Sequence, residues 1–180
     1  MNYFVVQVKT GEEEKYIRSA KKAVSLSDSS VRIIWPRRRL GLRKKGKTKD
    51  HLAPIFPGYV FLETESLSPD VYWALRRSIG FYRFLRNNHD VQALSEEDRD
   101  LLVHFLKLGE VVEKSTVYFD ENNKIRVSEG ALKDLVGRIV KVDSRKKRAK
   151  VRLSLYENSF LVDFGFEVME LVKTDESDEK

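Results

Sequence analysis

Apolar positions along the chain fall into short runs, and the spacing within each run predicts its element. "YFVVQV" at 3–8 is nearly continuous and predicts a buried strand. Thr10 and Glu13 then form a capping-box pair, and Tyr16, Ile17, Ala20, Ala23 and Val24 recur at helical spacing, so 12–24 reads as an amphipathic helix. "VRIIW" at 31–35 predicts a second strand ended by Pro36, and "GYVFLE" at 58–63 a third. Ser68 and Pro69 suit the cap and first turn of a helix carrying Val71, Tyr72 and Leu75 on one face. "FYRFL" at 81–85 is a fourth strand, and Ser95 with Asp98 starts a last helix through Leu101, Leu102, Phe105 and Leu106.

The resulting order, β-α-β-β-α-β-α with short connections, is that of an α+β sandwich and lacks the alternation of a doubly wound sheet. Periodicity fades after Gly109, and 109–123 reads as a linker with one short strand near Val117–Phe119. Beyond it, "KIRVSEG", "VGRIVKVD", "RAKVRLSL", "FLVDF" and "FEVMEL" are short β-rich runs between turn-like clusters, the signal of a small all-β barrel. The expected organisation is therefore a domain at 1–108, a linker at 109–123, a second domain at 124–172 and an acidic tail at 173–180.

Charge changes this picture because it is unevenly placed. The chain of 180 residues has a net charge of +6, yet 37–49, "RRRLGLRKKGKTK", carries eight positive charges and no negative one. A second cluster, "DSRKKRAKVR" at 143–152, carries six positive charges against one negative. Segments of this kind attract polyanions, since neutralising phosphates releases counterions. The competing reading of each cluster is a solvated basic loop that serves solubility alone.

Several function classes lose support on composition. With no cysteine, disulfides, zinc thiolates and a cysteine nucleophile are unavailable. His51, His89 and His104 are widely spaced in unlike contexts, no glycine-rich phosphate loop precedes a helix, and no motif pairs a nucleophile with a base. No enzyme activity, cofactor or metal is expected. No apolar run is long enough to span a bilayer, and the first residues lack the features of a signal peptide, so a cytoplasmic monomer without membrane contact is expected.

Three stretches carry a resemblance to a known family. "YFVVQVKTGEEEKYIRSA", "FPGYVFLE" and "IRVSEGALKDLVGRIVKVDSRKKRAKVRL" resemble, in that order, the opening and signature of the NusG N-terminal (NGN) domain and a KOW motif. The chain is thus similar to NusG-type transcription elongation factors, and the resemblance implies an SH3-like KOW barrel after the NGN domain. It also implies docking on the clamp helices of the largest RNA polymerase subunit, with a second partner on the barrel. Ribosomal protein S10, the termination factor Rho and nucleic acid are such partners in the family.

On that resemblance Phe56, Pro57, Tyr59 and Phe61 match the docking surface. Strand alternation sends Tyr59 and Phe61 to one face and Val60 and Leu62 to the other, so Tyr59 is expected beside Phe56 as a partly exposed anchor. Pattern alone equally allows all of these residues to be core. The matching positions of the family's Phe-Gly pair for S10 and Rho are Tyr156 and Glu157, which places those contacts in doubt. The hairpin beside them is strongly basic, and the chain as a whole looks most similar to the specialised antitermination branch LoaP, which implies recognition of a leader RNA hairpin. Arg145, Lys146, Lys147, Arg148 and Lys150 are then the candidate RNA contacts, with Lys133 and Arg138 outside them. Arg37, Arg38, Arg39, Arg43, Lys44 and Lys45 are candidate contacts to DNA or RNA, including non-template DNA of the transcription bubble.

Overall fold

A computed structural model describes residues 1–26, 30–44, 46–156 and 158–169, with backbone alone for residues 43 and 44. Chain order gives β1 (Asn2–Val8), α1 (Glu13–Val24), β2 (Arg32–Ile34), β3 (Arg37–Lys44), β4 (Lys47–Pro54) and β5 (Tyr59–Thr64). There follow α2 (Pro69–Arg76), β6 (Phe81–Phe84), α3 (Glu96–Lys107), β7 (Val111–Val112) and β8 (Ser115–Phe119). The C-terminal part adds β9 (Ile125–Glu129), a 3-10 helix (Lys133–Arg138), β10 (Ile139–Asp143), β11 (Arg148–Leu155) and β12 (Asn158–Val168). Among the described residues no helix is long and apolar enough to cross a membrane.

The first sheet is antiparallel in the order β2-β5-β1-β6, and side-chain alternation divides its residues between two cores. Val6, Val60 and Leu62 join Tyr16, Ala20 and Val24 of α1 and Val71 and Leu75 of α2. Tyr3, Val5, Tyr59 and Phe61 face the other way, toward Leu101, Leu102 and Phe105 of α3. The Ser68 hydroxyl accepts from the Val71 N–H, and the Ser95 hydroxyl from the Asp98 N–H, as expected of helix caps.

Glu13 departs from the capping-box expectation. Its carboxylate is buried and accepts from the backbone N–H groups of Gly11 and Gly58, both at 2.8 Å. The helix start is thereby tied to the turn that launches β5. Gly58 has φ of +81°, and a Cβ there would sit 2.9 Å from Thr10 Oγ1, so glycine is required.

The basic segment, which the sequence allows as a loop or an exposed hairpin tip, is a hairpin whose described residues are strand over 37–44 and 47–49. β3 and β4 pair from Arg37↔Pro54 to Lys44↔Lys47, and β7 adds in parallel to the root of β3. This strand pairing, and β8, also occupy much of the stretch expected as linker. Valines at 111, 112 and 117 supply the apolar side chains, the last two fully buried.

The C-terminal sheet has the order β10-β11-β12-β8-β9. Residues 158–165 of β12 pair with β11 and residues 166–168 with β8, so one long strand serves two neighbours as the sheet wraps. Its interior holds Val117, Leu132, Leu135, Ala149, Val151, Leu153, Val162 and Phe166, and it is continuous with the second core of the first sheet. The acidic tail expected at 173–180, and the end of the second domain expected at 172, lie outside the described residues.

A covered aromatic face and a candidate nucleic-acid interface

The expectation of a partly exposed anchor is not met in this structure. Phe56 is 1% exposed, Tyr59 8% and Phe61 0%, and Pro57 is half-buried. The strand alternation is as anticipated, but the C-terminal sheet covers the face. Phe160 of β12 meets Phe56 edge-on at 5.9 Å and Tyr59 at 5.5 Å. Phe105 links Phe56, at 6.0 Å, to Phe164 of β12, on which it stacks at 5.7 Å. Ring pairs in these geometries are attractive beyond the area they bury, by roughly 0.5–1.5 kcal/mol each. Phe61 touches Phe56 at 5.6 Å from within the first sheet.

Polar contacts frame this seam. The Arg38 guanidinium donates to the carbonyls of Pro54 and Asp163, and burial pulls its pKa down to about 10. Arg148 donates to the Gly41 carbonyl at 2.9 Å. The Tyr156 N–H donates to the Asp98 carboxylate at 3.3 Å and its hydroxyl to the Gln92 carbonyl at 3.2 Å. Burial, followed by the charge of Asp98, raises the Tyr156 phenol. Gly165 allows backbone contact between β12 and β3, because a Cβ there would lie 2.9 Å from the Arg39 carbonyl oxygen.

The basic clusters separate into engaged and free side chains. Arg37 lies over Trp35 at 5.0 Å, and Arg39 grips Glu113 through two nitrogens at 2.7 and 3.1 Å. With Arg38 buried, each of these three arginines has an intramolecular partner. They form the root of the hairpin, against residues 110–113 and β12, while residues 46–51 are exposed. For Arg43 and Lys44 nothing is described beyond the backbone, and Lys45 lies outside the described residues. In the second cluster Arg148 and Lys150 share Asp163, at 3.8 and 3.5 Å. Arg145, Lys146 and Lys147 project from the turn between β10 and β11, where Lys147 has φ of +53° and the Lys146 N–H donates to Asp143. That hydrogen bond, the largest cause, lowers the Asp143 carboxyl's pKa. Lys133 and Arg138 are exposed on the 3-10 helix, apart from this turn.

Two features escaped the sequence reading. Phe160 and Phe164 lie in "FLVDF", which reads only as one β-rich run of the barrel and carries no signal of a partner in the first domain. Trp73 is 48% exposed, with Arg76 at 5.1 Å and Arg77 at 5.8 Å from its ring centroid. The spacing of "WALRR", with arginines three and four positions after the Trp, was the available signal. An exposed ring among guanidinium groups is suited to stacking a base.

The family profile described as transcription termination factor nusG matches residues 1–103, more than half of the chain. The chain belongs to the NusG family. It is a transcription termination/antitermination factor of that type, with an N-terminal α/β domain and an all-β C-terminal domain of KOW type. The NusG transcription termination/antitermination protein of Chlamydia trachomatis is 28% identical over 165 residues, covering 89% of each chain. That of Yersinia pestis is 26% identical over 174 residues, covering 93% of this chain and 94% of its own. Among NusG structures, one of the domain interaction in Thermotoga maritima NusG shares the fold. Its TM-score is 0.60 at 21% identity, with 91% of this chain and 93% of that one covered.

Proposed function

We propose that this NusG-type factor docks on the RNA polymerase clamp helices through Phe56, Pro57 and Tyr59, with Phe61 beneath them. Its C-terminal domain binds a structured leader RNA, which makes it an antitermination factor of the LoaP kind. The observation that carries the docking role is the fit of Phe160 against Phe56 and Tyr59: the face gains from being covered by an apolar partner. Polymerase binding then requires the C-terminal sheet to move off.

The RNA role is supported by the exposed Arg145, Lys146 and Lys147 on one turn. Phosphate contacts of this kind position an RNA helix, while its loops supply sequence recognition. The alternative, a general factor whose KOW domain takes ribosomal protein S10 or Rho, is disfavoured by Tyr156. That residue is docked on Asp98 and Gln92, and its neighbour Glu157 lies outside the described residues. Non-template DNA is a further ligand in this proposal, met by the hairpin tip and by Trp73 with its two arginines.

A photo-crosslinker at Tyr59 in cells tests the docking role: adducts are expected on the largest polymerase subunit, and labelling of other proteins alone would refute it. Mobility shift on a structured leader RNA tests the second role. Reversal of charge at Arg145–Lys147 should abolish the shift, and an unchanged shift removes the RNA assignment.

A further inference from the structure

The two basic clusters, far apart in sequence, meet across a groove of about 950 Å3. One wall is the β3–β4 hairpin, with Gly41, Leu42, Gly46 and Thr48; the other is the turn carrying Arg145 through Arg148. Lys114 lies between them, and among the described residues Glu167 is the one carboxylate on a lining that holds five cations. Lys114 pairs with Asp50 and Glu167, Arg148 with Asp163 and the Gly41 carbonyl, and Lys146 with Asp143. Arg145 and Lys147 form no ion pair among the described residues.

We infer that this groove is a single site for the phosphate backbone of an RNA strand, built by both domains and complete only while they are closed on each other. This deepens the RNA reading above and rests on it. Three observations carry it. Five cations against one carboxylate line a concave surface, which focuses a net positive field on an anion. Gly41, Gly46 and Thr48 give the hairpin wall backbone and hydroxyl groups against which a strand can lie while the lysines hold its phosphates. Finally, Leu42 is 41% exposed at the rim, where a base can rest on it. Because the closed arrangement that completes the groove also covers Phe56 and Tyr59, the groove holds RNA only while the factor is off the polymerase, and the exposed turn at Arg145–Lys147 is what remains to hold RNA once the aromatic face is docked.

The test uses the full chain and fluorescence anisotropy with a labelled twelve-nucleotide oligouridylate, titrated across salt. Three single variants are compared: Lys147→Glu in the turn, Thr48→Glu on the hairpin wall, and Gly165→Val, which forces β3 and β12 apart. Expected is a loss of about fivefold or more for each, the effect of one misplaced charge or of a wall withdrawn from a screened phosphate. If Lys147→Glu weakens binding while Thr48→Glu and Gly165→Val match the parent, the two-domain site is overturned and RNA binding by the turn alone survives. If the parent binds neither this oligonucleotide nor a stem-loop RNA, the RNA reading itself falls, and the inference with it. Circular dichroism of each variant separates lost binding from lost fold, and a Thr48→Val control should bind like the parent.

Discussion

Gly165→Val isolates the contact between the two domains. The glycine's φ is not in the left-handed region and it pairs with Arg148 in the β11–β12 ladder, so a β-branched residue suits its own strand. What a Cβ meets is the other domain: the Arg39 carbonyl oxygen at 2.9 Å, and the Leu40 Cα at 3.8 Å. The Lys114 side chain, at 3.1 Å, can swing aside, but the β3 backbone cannot. Relief requires β3 and β12 to separate, and the same displacement lengthens the Arg148–Gly41 hydrogen bond and loosens the Phe160 and Phe164 ring contacts. Overpacking of this kind costs about 1–3 kcal/mol. At about 1.4 kcal/mol per factor of ten, the closed-to-open ratio falls by about fivefold to 150-fold. The chain has no cysteine, so Arg18→Cys on α1 and Ser154→Cys on β11 can carry spin labels without other changes. Pulsed electron paramagnetic resonance should show one narrow distance in the parent and a longer, broader population in the variant. An unchanged distance distribution in a folded variant would refute the reasoning.

Three further outcomes are expected. Phe160→Ala removes two ring contacts at about 0.5–1.5 kcal/mol each and should open the domains about as far as Gly165→Val, read by the same labels; no change would mean the rings do not hold the closure. Glu13→Ala deletes two hydrogen bonds to a buried carboxylate and should lower stability to denaturant by about 2–4 kcal/mol, whereas Glu14→Ala, exposed and paired only with Arg18, should stay within about 0.5 kcal/mol. The hydrogen bond from Lys114 holds the Asp50 carboxyl below its ordinary value of 3.8, with Arg39 adding to the shift. A depressed folded value means the contribution is complete above that ordinary value and lost as pH falls through the folded one. The labelled parent should therefore stay closed from pH 7 to about 5 and open in stronger acid, and Asp50→Asn should change that onset; identical profiles would remove Asp50 from the closure.

The legible parts of the chain were those whose spacing has one physical meaning. The strand at 3–8, the helix behind it, and the caps at Ser68 and Ser95 follow from periodicity and short-range hydrogen bonding. Two sheet faces could be read from Tyr59, Val60, Phe61 and Leu62, because a strand's side chains alternate. What lay on the outer face could not, since an aromatic covered by a distant segment looks the same in sequence as one awaiting a partner. Arg38 and Arg39 show the same limit for charge. Their density suggests a polyanion site but does not reveal that the Pro54 and Asp163 carbonyls and Glu113, each supplied by another strand or connection, pair with them. Gly58 reads in sequence as the first residue of the strand at 58–63, and nothing there shows Glu13 reaching across 45 positions to its N–H.

Affinity for core RNA polymerase, measured by fluorescence titration of the full-length parent, the Gly165→Val chain and the Gly165→Val/Tyr59→Ala chain, tests the docking face most directly. Apparent affinity scales with the fraction of molecules in the competent state. The opened chain should bind at least about fivefold more tightly than the parent, and Tyr59→Ala should cancel that gain. Equal affinity in all three, or weaker binding on opening, would contradict a polymerase-docking role for the face that Phe160 covers.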